Sequence, residues 1–411
     1  MKRTATRTLA AFAAVGLAAG LAACTSDGGG DADGPLTVWI MGDSGANFEQ
    51  LVAPFTEETG TEVEVVAIPW DAIDERLTTA VASGSGPDLL QIGLSKLSTF
   101  AAAGALLPLD EHLADHPGLA ADNFPDGVAE ATQVGGETVS VPWVSDTRVL
   151  FYRSDILAEN GIDAPPASWA ELREDAKVLA ARGDGQYGYY IPQWDSPLPV
   201  IMTWDFGGDI VSGGEIDFDT AAFAEAVDLY TGLYADGSVP TNGDFDQTQG
   251  FISGIAPMLV SGPYLAKSIA DAAPELDGKW GVTMVPGADE KTSLFAGSNL
   301  GIWHNTDQVD ASLDLLEYLS SVEAQLSWFE INGELPAVSA ALEDATLQSD
   351  PLVQVYSQQL ADSKVLPLVP NWDGQTGSDL LNALNAIVLT GADRDATLAE
   401  LFTKTAGTPV G

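Results

Sequence analysis

The sequence predicts a two-lobed α/β protein in which each lobe is a mainly parallel sheet flanked by helices. Over residues 36–103, short apolar strands alternate with helices of about ten residues, which is typical of a parallel sheet covered by helices. Residues 139–153 and 294–303 each have the pattern strand, short polar break, strand, so the chain is expected to pass twice between two sheets. The 411 residues suffice for two domains.

The first lobe is predicted by local signals. The apolar run 36–41 predicts a strand, and apolar residues at helical spacing over 48–55 predict a helix that Gly60 ends. Strands are expected over 62–68 and 86–92, each followed by a helix, with Asp71 and Ser95 as the N-terminal caps. In such sheets the ligand crevice lies beyond the carboxyl ends of the strands, which directs attention to residues 39–44, 69–71 and 93–95.

The first crossing carries the most informative residues. Pro142 cannot donate a ladder hydrogen bond, so the sheet is expected to be interrupted near it. Trp143 and the run 145–148 then offer an aromatic face, hydroxyls, a carboxylate and a guanidinium at a domain junction. A small polar ligand needs such a combination.

Local signals also predict the elements of the second half of the chain. Ser168 and Glu171 form a capping box that opens a helix, and Asp310 is expected to cap a later one. The remaining predictions are a strand at 187–191, an aromatic turn-rich loop at 204–209, a helix at 220–234, strands at 255–260 and 280–286, the return crossing at 294–303, a break at 333–336, and a helical remainder.

Composition excludes some functions. The net charge of −44 leaves no basic patch to neutralise phosphates, so nucleic acid is not an expected partner. The acidic residues are spread along the chain, which indicates a solvated surface. Hydrophobic residues make up 45% of the chain, enough for large cores.

The N-terminus predicts export. A basic start, an apolar Ala-rich run and a single cysteine, Cys24, fit a signal peptide over 1–23. Leu21-Ala22-Ala23-Cys24 resembles the lipobox of bacterial lipoproteins, which implies cleavage before Cys24 and its acylation, with 24–34 as a flexible tether. The alternative is an ordinary signal peptide with an incidental cysteine. Lipidation would hold the protein on the outer face of the cell membrane.

From residue 36 onward the chain resembles the family-1 extracellular solute-binding proteins of carbohydrate ABC transporters. The resemblance rests on the segments 36–39, 142–152, 165–172, 258–264, 297–300 and 333–336, in this order and spacing. It implies two lobes, 35–144 with 297–335 and 145–296 with 336–411, which close over a ligand. It also implies a monomer that docks on a membrane permease driven by an ATPase.

A sugar offers flat C–H faces and hydroxyls, so its receptor needs aromatic rings and polar side chains with paired hydrogen-bonding atoms. The candidate ligand-binding residues are Trp39, Asp43, Ser44, Trp70, Ser95, Trp143, Asp146, Arg148, Trp194, Trp204, Gly262, Tyr264, Asn299 and Trp372. Core packing is the alternative for Trp39, a hinge ion pair for Asp146 with Arg148, and a turn for Asn299. Trp169 and Trp328 are predicted to lie in the core.

Two other functions remain open. A polyamine could be boxed by the same aromatics against Asp43 and Asp146, although Arg148 argues against a cationic ligand. An exported glycoside hydrolase would need two facing carboxylates, one with a raised pKa. No nucleophile elbow, Walker loop or zinc motif occurs, and His112 with His116 lie in a solvated segment, so no catalysis, metal or cofactor is predicted.

Overall fold

The computed structural model describes residues 34–42, 44–69, 72–125, 128–129, 131–193, 195–241, 246–287, 290–367, 369 and 372–410. The predictions for the signal peptide, for lipidation at Cys24, and for Asp43, Trp70 and Trp194 lie outside these residues, as does the proposed Asp71 cap.

The strands, in chain order, are β1 Leu36–Met41, β2 Val63–Ile68, β3 Leu89–Gly93, β4 Gln133–Val134, β5 Glu137–Thr138, β6 Val141–Thr147, β7 Val149–Tyr152, β8 Val211–Ser212, β9 Glu215–Ile216, β10 Met258–Ser261, β11 Gly281–Thr283, β12 Ser293–Ile302, β13 Leu335–Pro336 and β14 Ser363–Val365.

The helices are α1 Gly45–Thr59, α2 Ile73–Ser83, α3 Leu94–Ala102, α4 Ser154–Glu159, α5 Trp169–Ala180, α6 Pro197–Asp205, α7 Ala221–Ala235, α8 Gln247–Ile252, α9 Tyr264–Ala272, α10 Val309–Leu319, α11 Val322–Asn332, α12 Ser339–Leu342, α13 Ala345–Gln348, α14 Pro351–Ala361, α15 Gly377–Thr390 and α16 Arg394–Thr405. Short 3₁₀ turns lie at Pro117–Leu119, Ala121–Asn123 and Pro274–Leu276, and a π-helical turn at Trp372–Thr376 precedes α15.

Two sheets organise the fold. The larger has the order β13-β6-β12-β3-β1-β2, with β14 paired to β12. β1 is parallel to β2 and β3, whereas β12 is antiparallel to β3 and β6. The smaller sheet, β10-β7-β11, is antiparallel throughout, so the parallel arrangement expected for both lobes is present only in part of the first sheet. Both neighbours of β7 in this sheet run in the direction opposite to β7.

The first crossing joins the two sheets at one residue. β6 ends at Thr147 in the larger sheet and β7 begins at Val149 in the smaller one, which leaves Arg148 between them. The interruption expected at Pro142 is wrong, because Pro142 lies inside β6. The register with β12 shifts beside it, and this bulge disrupts the ladder where proline has no N–H to donate.

The segment expected to be the return crossing is one continuous strand, β12, which lies wholly in the larger sheet, so the polar break predicted there is also wrong. Gly297 has φ +141°, and a Cβ at this position would lie 2.3 Å from the carbonyl oxygen of Val144. Gly297 therefore permits a close approach of β12 to β6, and the segment 297–299 does not end the strand.

Of the other local predictions, one is confirmed and several are wrong. Ser168 caps α5 by accepting the N–H of Glu171, as predicted. Residues 187–191 form only a single bridge, at Tyr190, instead of a strand. The loop expected at 204–209 is wrong for Trp204, which lies on α6. The caps expected at Ser95 and Asp310 are wrong by two residues, since the helices begin after Gly93 and Gln308.

Hydrophobic cores cover both faces of each sheet. Phe48 and Trp328 belong to the core on one face of the larger sheet, and Leu77 to the core on its other face. Tyr230 and Phe151 belong to the two cores of the smaller sheet. Trp169 and Trp328 are buried in these cores, as predicted. The predicted lobe boundary after residue 335 stays a prediction, although residues 337–341 still pack into the core around Phe48.

Candidate ligand-binding site

The residue between the two sheets, Arg148, forms an ion pair with Asp146. Nη1 of Arg148 lies 3.2 Å from Oδ2 of Asp146, and the two side chains are 15% and 23% exposed. The Arg148 carbonyl accepts a 2.6 Å hydrogen bond from the Ser293 hydroxyl, which ties the crossing to the start of β12. The hinge ion pair considered as an alternative is therefore present, and it stands at the junction of the lobes.

Gly262, after β10, packs directly against this pair. A Cβ on Gly262 would lie 2.6 Å from Nη1 of Arg148 and 2.6 Å from Oδ1 of Asp146, so no larger residue fits without displacing them. Tyr264 begins α9 beside it, and its hydroxyl accepts hydrogen bonds from Ser261 and from Gln247 of α8, each at 3.1 Å. Gly262 and Tyr264 are thus brought to Asp146 and Arg148, as the sequence predicts.

Asp195, which is absent from the candidate residues above, adds a second buried carboxylate. Burial raises the pKa of Asp195 and of Asp146, and Arg148 partly offsets both shifts. Burial alone would lower the pKa of Arg148, but Asp146, Tyr264 and Asp195 raise it, so the guanidinium stays charged. The Arg148 guanidinium therefore partly balances the charge of two carboxylates, Asp146 and Asp195.

Glu334 is a third carboxylate that was missed as a site residue. It precedes β13, whose Leu335 pairs with Ser145 of β6, so Glu334 occupies the register position next to Asp146. Burial raises the pKa of Glu334 to about 7; hydrogen bonds from Asn332 and Trp328 oppose the shift, and the charge of Asp146 adds to it. We call Asp146, Arg148, Asp195 and Glu334 the cleft cluster.

A second contact joins the two lobes at the rim. Oδ2 of Asp373, in the turn before α15, accepts a 2.8 Å hydrogen bond from the Ser95 hydroxyl and lies 3.1 Å from Nζ of Lys96. Lys96 also binds Asp74 of α2 at 2.8 Å. A groove of about 430 Å³ opens beside these residues and is also lined by Thr78, Thr79, Thr99 and Phe100. Ser95 therefore lies at a contact between the lobes, and its role as a ligand-binding residue stays a prediction.

The described tryptophans on the candidate list are buried. Trp143, Trp204 and Trp372 are each 1% exposed, and Trp39 is 8% exposed with the guanidinium of Arg76 4.7 Å from its ring centroid. Trp143 packs on Phe48 and Trp328, Trp204 lies in the core of the second lobe, and Trp372 donates to the Ser196 hydroxyl. Their placement does not support stacking on a ligand, because neighbouring side chains cover the rings.

Asn299 also differs from expectation, whereas the ligand-binding role of Ser44 stays a prediction. The Asn299 amide donates to the carbonyl of Ala131 and to the Ser140 hydroxyl, each at 3.0 Å, and the residue is 3% exposed. It holds the chain near residue 131 against β12 and does not face the cleft. Ser44 occupies the N-cap position of α1 without a capping hydrogen bond from its side chain.

Within the described part of the chain, no group of three or more His, Cys, Asp or Glu side chains is arranged to hold a metal ion. His116, of the pair considered above, instead lies 3.0 Å from Glu317 through Nδ1. Of the helices that the structure describes, none combines the length and the apolar character that a bilayer span requires.

The chain belongs to the bacterial extracellular solute-binding protein family, whose model matches residues 50–355. The sheets and the crossing between them are thus those of a two-lobed α/β binding protein of the maltose-binding type.

Particular relatives match the chain over most of its length. The diacetylchitobiose binding protein DasA of Streptomyces coelicolor is 24% identical over 393 residues, covering 90% of each chain. The maltodextrin-binding protein MdxE of Bacillus subtilis is 23% identical over 386 residues, covering 89% of each. The solved structure of the sugar-binding protein MalE from Xanthomonas citri is 27% identical, with a TM-score of 0.80, and the match covers 90% of this chain and 96% of that one.

Proposed function

We propose that this protein is the substrate-binding lipoprotein of an ABC importer, which captures a mono- or short oligosaccharide by closing two lobes around it. The observation that carries the proposal is the Asp146–Arg148 pair, seated on Gly262 at the one-residue crossing between the sheets. A carboxylate and a guanidinium held at the hinge can accept and donate several hydrogen bonds to adjacent sugar hydroxyls. The names of the relatives DasA, MdxE and MalE support a saccharide ligand.

Closure follows from the same geometry. A ligand that touches the cleft cluster and the rim at Ser95 contacts both lobes only when they approach each other, so its binding energy favours the closed state. The closed form then presents faces from both lobes to a permease. We keep the lobe boundaries 35–144 with 297–335 and 145–296 with 336–411, and a monomeric receptor, as part of this proposal.

A polyamine is the second candidate because of one observation. The cleft cluster has three carboxylates and one guanidinium, and burial raises the pKa of each carboxylate. A cationic ligand would relieve that imbalance of charge. The sugar proposal explains the same carboxylates as acceptors for hydroxyl donors.

A thermal-shift panel separates the two candidates. The full chain is melted with maltose, maltotriose, N,N′-diacetylchitobiose, cellobiose, D-tagatose and spermidine. A compound present at 100 times its dissociation constant should stabilise the native state by about 2.7 kcal/mol. We expect a shift with at least one saccharide, which is then recovered and analysed for cleavage.

Stabilisation by spermidine alone would favour the polyamine. Hydrolysis of the saccharide would indicate a glycoside hydrolase with Asp146 and Glu334 as its carboxylates. The lipid anchor is tested separately, because wild type should incorporate a labelled fatty acid and Cys24→Ser should not. Incorporation by Cys24→Ser at the wild-type level would contradict acylation at that residue.

A further inference from the structure

Among the described residues, the hydrogen bonds that hold Glu334 in position reach one of its two carboxylate oxygens. Oε2 accepts hydrogen bonds from Nε1 of Trp328 at 2.9 Å and from Nδ2 of Asn332 at 2.6 Å. Asn332 is in turn fixed by Asn47 of α1, whose amide donates to it at 2.7 Å. The ring of Trp328 packs on Phe48 and on Trp143, so the donor to Glu334 belongs to a rigid core. These contacts fix the orientation of the carboxylate.

The other oxygen, Oε1, receives no hydrogen bond from any residue that the structure describes. The neighbouring carboxylate is in a similar condition, since Oδ2 of Asp146 accepts from Arg148 whereas Oδ1 is buried without a partner in the described chain. A partly buried carboxylate with one satisfied oxygen has acceptor capacity left over. The unpaired Oδ1 of Asp146 is in addition a buried acceptor, which is costly to leave unused. The two residues occupy neighbouring register positions, Asp146 on β6 and Glu334 immediately before β13.

We propose that Glu334 is a ligand-binding residue of the cleft, whose Oε1 accepts a hydrogen bond from a ligand hydroxyl beside Asp146. The inference rests on the proposed function and deepens it, because it adds an acceptor from the segment that leads into β13. The core that orients Glu334 includes Trp143, which thereby supports the site from behind without touching the ligand.

Binding should therefore be linked to protons. The groups that face Glu334 are Asp146 on β6 with Arg148 beyond it, Trp328 and Asn332 on α11, and Asn47 on α1; Tyr356 on α14 and Asp195 interact with Asp146 from the second lobe. A hydroxyl donor favours the ionised carboxylate, so it lowers the raised pKa of Glu334. Ligand binding then releases protons near pH 7, so the affinity should increase as the pH rises from 6 to 8.

The test compares wild type with Glu334→Gln in the full chain by titration calorimetry, using the panel compound that gives the largest thermal shift. Glutamine keeps an oxygen to accept from Trp328 and Asn332, and it turns an NH₂ donor toward the cleft. We expect an affinity about 10-fold lower, because a charge-assisted hydrogen bond is lost. Titration in two buffers of different ionisation enthalpy should show fewer protons released than in wild type. The control is Glu343→Gln, the same change at an exposed position after α12, which should match wild type.

Wild-type affinity together with a wild-type proton count in Glu334→Gln would overturn this inference and leave the proposed function standing. A panel in which no compound shifts the melt would overturn both. Should Glu334→Gln fail to fold, Glu334→Asp provides the same comparison, because it keeps the charge but withdraws it by one methylene. Unchanged affinity in Glu334→Asp would then count against the inference.

Discussion

Asp373 and Lys96 join the two lobes, with Oδ2 of Asp373 3.1 Å from Nζ of Lys96. The same oxygen accepts from the hydroxyl of Ser95, so one carboxylate accounts for two contacts across the mouth of the cleft. Lys96 keeps its partner Asp74 on its own lobe. The contact can therefore break on opening without leaving the buried ammonium unpaired.

Asp373→Asn should shift the lobes toward the open state. The side chain of Asp373 is 42% exposed, so the lost attraction is about 1 kcal/mol or less, which changes the open-to-closed ratio by about 2- to 5-fold. Small-angle scattering without ligand should give a larger radius of gyration. The control is Asp271→Asn, which removes the ion pair with Lys267 within α9. Equal radii for both variants would show that the Asp373 contact does not influence closure.

Gly262→Ala should weaken ligand binding and destabilise the fold. Its Cβ would come within 2.6 Å of both Arg148 and Asp146, and such overpacking costs about 1–3 kcal/mol. Urea unfolding and titration with the selected saccharide measure the two effects. Gly281→Ala in β11 is the matched control, since its Cβ would come no closer than 3.0 Å, to the hydroxyl of Tyr152. Unchanged affinity in Gly262→Ala would mean that the Asp146–Arg148 geometry does not matter for binding.

The sequence predicted the elements whose signals are local. The apolar spacing over 48–55 gave α1, and Ser168 with Glu171 gave the start of α5, because capping and burial of one helix face need only neighbouring residues. The run 145–148 was correctly placed at the crossing, but the interruption of the sheet was expected at Pro142, six residues before the junction at Arg148. Pro142 is tolerated inside β6 by a bulge in its pairing with β12, a strand more than 150 residues away, and no local pattern reveals that pairing.

The site was predicted in the same uneven way. Asp146, Arg148, Gly262 and Tyr264 come together as expected, since they lie where the chain leaves a strand at the junction. Trp204 was predicted to lie in a loop because glycines follow it closely, whereas it lies in the last turn of the helix that begins at Pro197. Glu334 was missed because its place beside Asp146 depends on the pairing of β13 with β6.

Asn299→Ala should lower stability without changing affinity for the saccharide. The substitution leaves the carbonyl of Ala131 and the hydroxyl of Ser140 without their donor, a cost of about 1–3 kcal/mol for buried groups. Asn299→Asp should be at least as destabilising, because it turns a carboxylate oxygen toward the same carbonyl. Urea unfolding measures the first effect and calorimetry the second. A loss of affinity with normal stability would instead restore Asn299 to the ligand-binding residues.

The stability of the protein should fall as the pH rises from about 4 to about 7 through two buried carboxyls. Burial raises the pKa of Asp205 and that of Glu334 to about 7, from 3.8 and 4.5 respectively. Between those values the folded state binds more protons than the unfolded chain, so each group lowers the free energy of unfolding by up to about 1.4 kcal/mol per pH unit. The contribution of each carboxyl to the free energy of unfolding is fully favourable only below the pKa that the carboxyl has in the unfolded chain.

Asp205→Asn isolates this effect away from the cleft. Oδ2 of Asp205 accepts the Nε1–H of Trp169 at 2.9 Å, and the asparagine oxygen can accept it in the same way, while Oδ1 has no partner in the described chain. We expect urea midpoints measured at pH 5, 6, 7 and 8 to decline less steeply in Asp205→Asn than in wild type. The exposed Asp271→Asn should keep the wild-type slope. If the urea midpoints of Asp205→Asn and wild type decline with pH at the same rate, Asp205 is not a source of the decline. The reason is that asparagine does not titrate, so it cannot contribute to the pH dependence of stability.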